Sequence, residues 1–504
     1  MFAVLIILPL APVVNILSAP NSEAVKWKEK SFLYNMDFAS RLLARALYPF
    51  GISTDPDQVI IGHDGWLYLG EKYAQTRSVV RRPPTVAEIE LGKQIGGAVG
   101  AWEAYLSSKG VKLFRVMMGP NKESIYPEYL PVWARPVYPN VTDALMAGTG
   151  SVRYIDLREP LLAAKANYPE DLYYKTDTHW NHLGAGVAFR HVAEQTAAAA
   201  PEIRWPSESA YSVRRVASRN GGDLANFLRI SGSLSDFEPI THAQELPVET
   251  VQYDFDTGGV IARGGNPPVD SPAKPILISS KGALNNKRVL WLRDSFGTAM
   301  SPLMAATFSE VLQLHWAAGL MSGRFVQMVE DWRPDYVFFT IVERSARDSI
   351  LSSYPPMIII PKRDDFKPIL TSSVAGINNL TKGLSEGEYQ ISGLDPYLDF
   401  SISSQVVSSE ARFLNIDLTC DDGSPSVPLQ IFWLQSGVSS YDEENSARVL
   451  FPTGQSSIDI KTIPKLSTAT IQKIRLDVDA QGACTRFKLK SLEIGTQAAN
   501  HREL

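Results

Sequence analysis

Four short runs set the frame of this chain. "VKLFRVMM" (111–118), "VRYIDL" (152–157), "KRVLWL" (287–292) and "PDYVFFTIV" (334–342) are mostly apolar and rich in β-branched or aromatic residues. Continuous apolar positions, rather than alternating ones, are what a strand buried on both faces of a parallel sheet requires. Between them run stretches of helical pattern, "VAEIELGKQIGGAVGAWEAYLSSKG" (86–110) and "GAGVAFRHVAEQTAAAA" (184–200), the first stopped by Gly110. Strands alternating with helices predict an α/β sandwich over residues 23–370. Residues 205–285 break the rhythm with "GGD" and "GGVIARGGNPPVDSP" and show little periodicity. They are expected to form a long, partly irregular insertion of the kind that contacts substrates.

After "YPPMIIIPKRDDF" (354–366) the pattern becomes one of short alternating segments, among them "FLNIDLTC", "LQIFWLQS" and "KIRLDVDA", separated by turn residues. This texture predicts an antiparallel β-sandwich over 380–498, with the boundary between 366 and 388. Tyr397, Trp433 and Tyr441 within it are candidates for stacking on sugar rings, and burial in the core is the competing explanation. Cys420 closes one expected strand and Cys484 opens a late one. In an oxidising compartment they can form a disulfide; two unrelated buried thiols are the alternative.

The first 22 residues, MFAVLIILPLAPVVNILSAPNS, carry no charged side chain. A spanning helix needs about 20 apolar residues, so the stretch reads as a signal-anchor or the apolar part of a signal peptide. A buried core helix is the competing reading. The remaining composition narrows the function classes. Apolar residues make up 44%, charged residues 20%, and the net charge is −5 with the basic residues scattered. These values fit a folded globular protein and give no basic stripe for nucleic acid.

Candidate chemistry gathers where expected strands end, the place where open α/β sheets bind ligands. "VLWLRDSFGTAM" (289–300) runs from an apolar strand into Asp294-Ser295-Phe296-Gly297. Ser295 there is either a nucleophile beside helix N–H groups or simply the helix N-cap. "YYKTDTHWNHLGAG" (173–186) places Asp177 two residues before His179 in a loop entering a helix. In a loop the two side chains can meet, so that Asp177 orients His179 as a base. A metal site would need further ligands, and the remaining histidines show no ligand spacing. "FRVMMGPNKESIYPEYLP" (114–131) offers Asn121, Lys122 and Tyr126 as donors to an oxyanion or a sugar hydroxyl, against a solvated loop. Glu343 and Arg344 end a further strand, where an ion pair closing the sheet competes with a substrate role for Arg344.

"IIGHDGWLYLG" (60–70), "PNKESIYPEYLP", "YIDLREPLLAAK" with "YYKTDTHWNHLGA", "GGDLANFL" (221–228) and "RDSFGTAM" occur in this order. Together they resemble the alginate O-acetyltransferase family, exported exopolysaccharide-acetylating proteins with an SGNH hydrolase-like domain, over about residues 55–345. The resemblance implies a flavodoxin-like α/β/α sandwich, no cofactor and no metal. It assigns Asp177 and His179 to the family's Asp-x-His pair and Ser295 to its nucleophile. Backbone N–H groups near Ser295 and Phe296 are the expected oxyanion donors. Arg293 departs from the pattern, since many SGNH proteins have glycine before Asp-Ser. A periplasmic protein held at the inner membrane by its N-terminal segment is implied. So are an exported polysaccharide as acceptor, a membrane-bound O-acyltransferase as donor, and a carbohydrate-binding C-terminal sandwich. An esterase removing acetyl groups from a glycan, or a non-catalytic polysaccharide-binding subunit, would share the same sequence features.

Overall fold

The computed structural model describes residues 12–17, 29–150, 152–356, 359–361, 366–407, 411–424, 426–463, 465–466, 469–478 and 484–497. Among these no helix is long and apolar enough to cross a membrane. The expected anchor at 1–22 lies, apart from 12–17, outside the described residues. Two compact units are formed, residues 1–93 with 110–350 and residues 94–109 with 351–504.

The first unit is an α/β domain. Its strands are β1 (Val59–Ile61), β2 (Leu67–Leu69), β3 (Leu113–Gly119), β4 (Tyr154–Asp156), β5 (Val213–Asn220), β6 (Ser235–Thr241), β7 (Glu249–Asp254), β8 (Val260–Arg263), β9 (Ile276–Lys281), β10 (Asn285–Arg293), β11 (Phe308–His315) and β12 (Tyr336–Val342). Eight of them form one mixed sheet in the order β4-β3-β12-β10-β11-β9-β7-β8. The pairings from β4 to β11 are parallel and those beyond β11 antiparallel. Val289–Arg293 of β10 and all of β12 are buried, as their unbroken apolar runs require. Residues 205–285 are more regular than expected, with five strands from β5 to β9. The reason is legible in β5, VRRVASRN, a ribbon strand pairing only with β6 and largely exposed, which therefore carries no apolar period.

Hairpin β1–β2 pairs Val59 with Leu69 and Ile61 with Leu67. Its turn holds Asp64 and Gly65 at φ 54° and 81°. Asp-Gly is the dipeptide that tolerates two consecutive left-handed residues. The inner side of the hairpin packs Val59, Leu67 and Leu69 against Leu224, Ala225 and Leu228.

The second unit is an antiparallel β-sandwich. Its strands run from β13 (Ile359–Pro361) and β14 (Phe366–Asn378) through β15 (Leu380–Lys382), β16 (Glu388–Ile391), β17 (Tyr397–Val407), β18 (Phe413–Cys420), β19 (Ser426–Gln435), β20 (Ser446–Pro452), β21 (Gly454–Asp459), β22 (Thr470–Val478) and β23 (Arg486–Gln497). β13 and β14 already belong to its sheet, upstream of the expected start at 380. β14 is long enough to serve both layers, pairing with β23 through Phe366–Thr371 and with β17 through Ser372–Asn378. Cys420 and Cys484 are joined by a disulfide with Cα atoms 5.7 Å apart.

Candidate active site

β10 lies between β12 and β11 and delivers its C-terminal end to the sheet edge. Asp294 follows it, and its carboxylate ties two backbone groups together: Oδ1 accepts from Phe296 N–H (2.9 Å) and Oδ2 from Val342 N–H (2.7 Å). A 3-10 turn, Ser295–Gly297, begins there, and the helix Ser301–Thr307 comes later. Asp294, not Ser295, is the N-cap of that turn, which leaves the Ser295 hydroxyl free for another partner. That partner is His179, whose Nε2 lies 2.7 Å from Ser295 Oγ. On the other side of the ring, His179 Nδ1 lies 2.6 Å from Asp177 Oδ1. The structure thus brings together three residues separated by up to 118 positions, as the numbers 177 and 295 give.

The loop that carries Asp177 and His179 has little regular structure of its own and is held from every side. Lys122, fully buried, donates its three ammonium protons to the carbonyls of Tyr174 (3.0 Å), Lys175 (3.0 Å) and Asp177 (2.7 Å). The Asp236 carboxylate accepts from Thr176 N–H (2.7 Å) and Thr176 Oγ1 (2.6 Å). Asp223 does the same for the next threonine, accepting from Thr178 N–H (2.7 Å) and Thr178 Oγ1 (2.5 Å). Leu67 N–H of β2 donates to Lys175 O and Ala225 N–H to Thr176 O. Trp180 Nε1 donates to Phe296 O (2.9 Å), joining the loop to the serine turn, and Asn181 then caps the helix His182–Thr196. Three of the stretches on which the family resemblance rests, "IIGHDGWLYLG", "PNKESIYPEYLP" and "GGDLANFL", therefore grip a fourth, "YYKTDTHWNHLGA".

The electrostatics follow from this packing. Burial works against ionisation of Asp177, but the bond from His179, its charge and Arg219 hold the carboxyl well below the usual carboxylate range. Burial likewise disfavours the imidazolium of His179, yet Asp177 and Asp223 outweigh it and the ring is raised above its ordinary 6.5. Asp223 is raised by burial and by the neighbouring Asp177 charge. Its Oδ2 lies 3.7 Å from His179 Nδ1, a second carboxylate behind the first. The ligand atoms of Asp177, His179 and Asp223 lie within 4.8 Å of one another, close enough for a metal ion. Within this cluster Asp223 accepts from Thr178 and Asp177 is bonded to His179.

The other sequence candidates fall elsewhere. Phe296 N–H is committed to Asp294, so it is not an open oxyanion donor. Lys122 is spent on carbonyls and positions the loop rather than facing a ligand. Tyr126 is buried against Trp66, and its hydroxyl accepts from Leu172 N–H (2.9 Å). Asn121 donates its N–H to Glu343, and its Oδ1 accepts from Arg344 Nη1 (3.0 Å), with the Arg344 guanidinium 5.8 Å from the Phe296 ring. Asn121 and Arg344 thus lie beside the serine turn. Glu343 does not pair with Arg344 as expected; it accepts from Asn121 N–H, Ser124 Oγ (2.7 Å) and Thr142 Oγ1 (2.6 Å). A buried carboxylate needs several donors, and hydroxyls two short elements away supply them. Arg293, the departure from the SGNH pattern, points below the turn. Its guanidinium donates to Gln313 Oε1 (2.7 Å), Val269 O (2.6 Å) and Asp270 O (2.9 Å). In the second unit Trp433 is 1% exposed, inside the core and out of reach of a ligand. Tyr397 and Tyr441 are half-buried and turn a face to the Arg475 guanidinium, 4.3 and 5.4 Å from the ring centres.

A cavity of about 330 Å³ opens over Ser295 and His179, bounded further by Tyr174, Arg219, Glu238 and Asp270. Arg219 and Glu238 come from β5 and β6, and Asp270 from the segment held by Arg293. None of these, nor Asp223 and Asp236, is marked by a sequence period. "GGD" was the one available signal, because two glycines before a carboxylate indicate close backbone approach.

Comparison with known proteins bears on the same stretch. Residues 59–269 match the family described as "SGNH hydrolase-like domain, acetyltransferase AlgX", a range that includes Asp177, His179 and Asp223 and ends before Ser295. A probable alginate O-acetylase AlgJ of Pseudomonas fluorescens is 24% identical over 256 residues, 49% of this chain and 62% of that protein. The chain thus spans less than two thirds of the curated relative. Among solved structures, Bacillus cereus PatB1 has a TM-score of 0.43 at 18% identity, covering 58% of this chain and 98% of that one. The O-acetyltransferase domain of Pseudomonas putida AlgJ has 0.36 at 19%, covering 57% and 92%. Through residues 59–269, the first unit is thus similar to the SGNH hydrolase-like domain of the alginate acetyltransferases.

Proposed function

We propose that this protein transfers an acetyl group to a hydroxyl of a polysaccharide through an acyl-serine intermediate. The observation that carries the reading is the linear array Asp177–His179–Ser295, with contacts of 2.6 and 2.7 Å opening into a cavity. His179 Nε2 takes the hydroxyl proton as Ser295 Oγ attacks the acetyl carbonyl carbon. The tetrahedral oxyanion is held by the Ser295 N–H and the Asn121 side-chain amide, whose oxygen is fixed by Arg344. Collapse expels the donor's leaving group, which takes the proton from His179, and acetyl-Ser295 remains. A sugar hydroxyl then gives its proton to His179 and attacks the ester carbonyl, and Ser295 Oγ leaves with the proton returned. Asp177 keeps the ring in the tautomer that presents Nε2 as acceptor in both halves.

A membrane-bound O-acyltransferase is the proposed source of the acetyl group, on the strength of the family resemblance. An exported site of action, at the inner-membrane surface, is favoured by the Cys420–Cys484 disulfide, since such bonds persist in oxidising compartments. The test is intact mass spectrometry after incubation with an activated aryl acetate. One acetyl on the wild type that is absent from Ser295→Ala and His179→Ala is the expected result. No adduct in any of the three, with the ester unconsumed, would sink the reading in favour of a binding subunit. Adduct formation followed by release of acetate alone, in the presence of glycans, would make the protein an esterase.

A further inference from the structure

The charged groups around the cavity are unevenly matched. Asp177, Glu238 and Asp270 contribute three carboxylates, and Arg219 is the one arginine or lysine on the lining. Arg219 already faces an aromatic ring and a carboxylate of the site. Its guanidinium lies 4.2 Å from the Tyr174 ring centre, with Nη2 3.5 Å from Asp177 Oδ2. Glu238 is fixed in place: its Oε1 accepts from the Tyr174 hydroxyl (2.6 Å) and lies 3.4 Å from His182 Nε2. Those bonds, the one toward His182 foremost, hold Glu238 ionised, with its carboxyl lowered to about 2. Asp270 is exposed on the lining, and Arg293 holds its backbone carbonyl. Outside the lining, Lys122 donates to three carbonyls and Arg344 Nη1 to Asn121 Oδ1.

A sugar acid needs an arginine fork or an ammonium for its carboxylate, and like charges across a binding site repel. Carboxylates that keep free lone pairs, by contrast, are strong acceptors for sugar hydroxyls. The volume lies at the small end of the roughly 300–1,000 Å³ of ligand sites, suiting one ring rather than a run. We propose that the cavity receives an uncharged sugar unit, whose hydroxyls donate to Glu238 and Asp270, and that it discriminates against a hexuronate. This inference rests on the acyl-transfer reading above. It separates this chain's acceptor from a polyuronate such as the polymer that gives its relatives their name.

The test supplies the full-length protein with an activated aryl acetate and equal amounts of a neutral hexose trisaccharide and a hexuronate trisaccharide, at low ionic strength. Acetylated products are counted by mass, and acetyl-Ser295 is followed in the same samples. The expected result is a preference of about tenfold or more for the neutral acceptor. Glu238→Gln combined with Asp270→Asn should reduce that preference at least several-fold. Asp270→Asn alone retains the backbone carbonyl that Arg293 holds, so it provides the measurement if the double variant does not fold. Equal or better use of the hexuronate by the wild type would overturn the proposal, as would a preference unchanged in the variants. If Ser295 acylates but no preference appears, only the acceptor inference fails. If Ser295 never acylates, the acyl-transfer reading fails and the inference goes with it.

Discussion

His179 decides the behaviour of the site at the scale of single residues. A base must be neutral to accept a proton, and here burial, which favours the neutral ring, is outweighed by Asp177 and Asp223. Acylation of Ser295 should therefore rise with pH along a limb centred above the ordinary 6.5 of histidine. Asp223→Asn removes one of the two stabilising charges and should move that limb to lower pH. A pH profile of single-turnover acylation reads both, and a limb unmoved in the variant would show that Asp223 is not felt at the ring. Asp177→Asn should move the limb further down and also lower the rate by about 10⁴-fold, because the ring loses its tautomer and orientation. The sign for stability is the reverse of that for rate. The raised pKa of His179 adds stability below its unfolded value, and that contribution is lost as pH rises through the folded value. For Asp177, whose pKa is lowered, the contribution is present above 3.8 and disappears in strong acid. Lys122 makes a different kind of statement. Lys122→Met keeps the volume but removes the ammonium donor from the carbonyls of 174, 175 and 177, of which 175 keeps Leu67 N–H. We expect a loss of about 3 kcal/mol in denaturant unfolding, and acylation reduced more than stability explains. A variant as stable and as active as the wild type would contradict the positioning role.

Packing between loop elements predicts effects that no single side chain carries. Gly222 begins the helix Asp223–Phe227 at φ −80°, which any residue adopts, so its backbone does not demand glycine. A Cβ there, however, would stand 2.3 Å from Asp177 Oδ2 and 2.4 Å from Asp177 Cβ. Gly222→Ala should push Asp177 off His179, lowering acylation by roughly 10²-fold, as misplacement of a reacting group by about an ångström does. The pH limb should shift down as in Asp177→Asn, while thermal unfolding changes little; an unshifted limb would refute the steric account. Gly119, at the end of β3, is limited in the same way by Phe296, 2.7 Å from the position of its absent Cβ. Both glycines are read correctly only with the neighbouring element in view. The strands buried on both faces were plain from their apolar runs, β3, β10 and β12 among them. β11, FSEVLQLH, was not, because Ser309, Glu310 and His315 interrupt its apolar positions and remain partly exposed.

For the whole molecule, the disulfide offers the clearest test of independence. It closes a loop of 64 residues within the second unit, and chain-entropy reasoning assigns such a link about 4 kcal/mol. Cys420→Ser with Cys484→Ser should lower the unfolding temperature of that unit. Acetyl-Ser295 formation from a soluble ester should persist, because every residue of the array lies in the first unit. Loss of acylation in that variant would show that the first unit depends on the second. The change of hydrophobic period near residue 366, the parallel-sheet strands and the Asp-x-His and Asp-Ser motifs are all properties of local sequence. They needed no coordinates, since burial on two faces, burial on one face and turn chemistry each leave a mark within a few residues. What the loop from Tyr173 to Asn181 rests on leaves no such mark. Lys122, Asp223, Asp236 and Leu67 hold it from four separate segments, and Asp294 displaces Ser295 as the cap of its own turn. Arg219, Glu238 and Asp270 meet over the serine for the same reason. Hydrogen bonds and charges act over a few ångströms in space, whatever the distance along the chain, so only the tertiary structure could decide which candidates met.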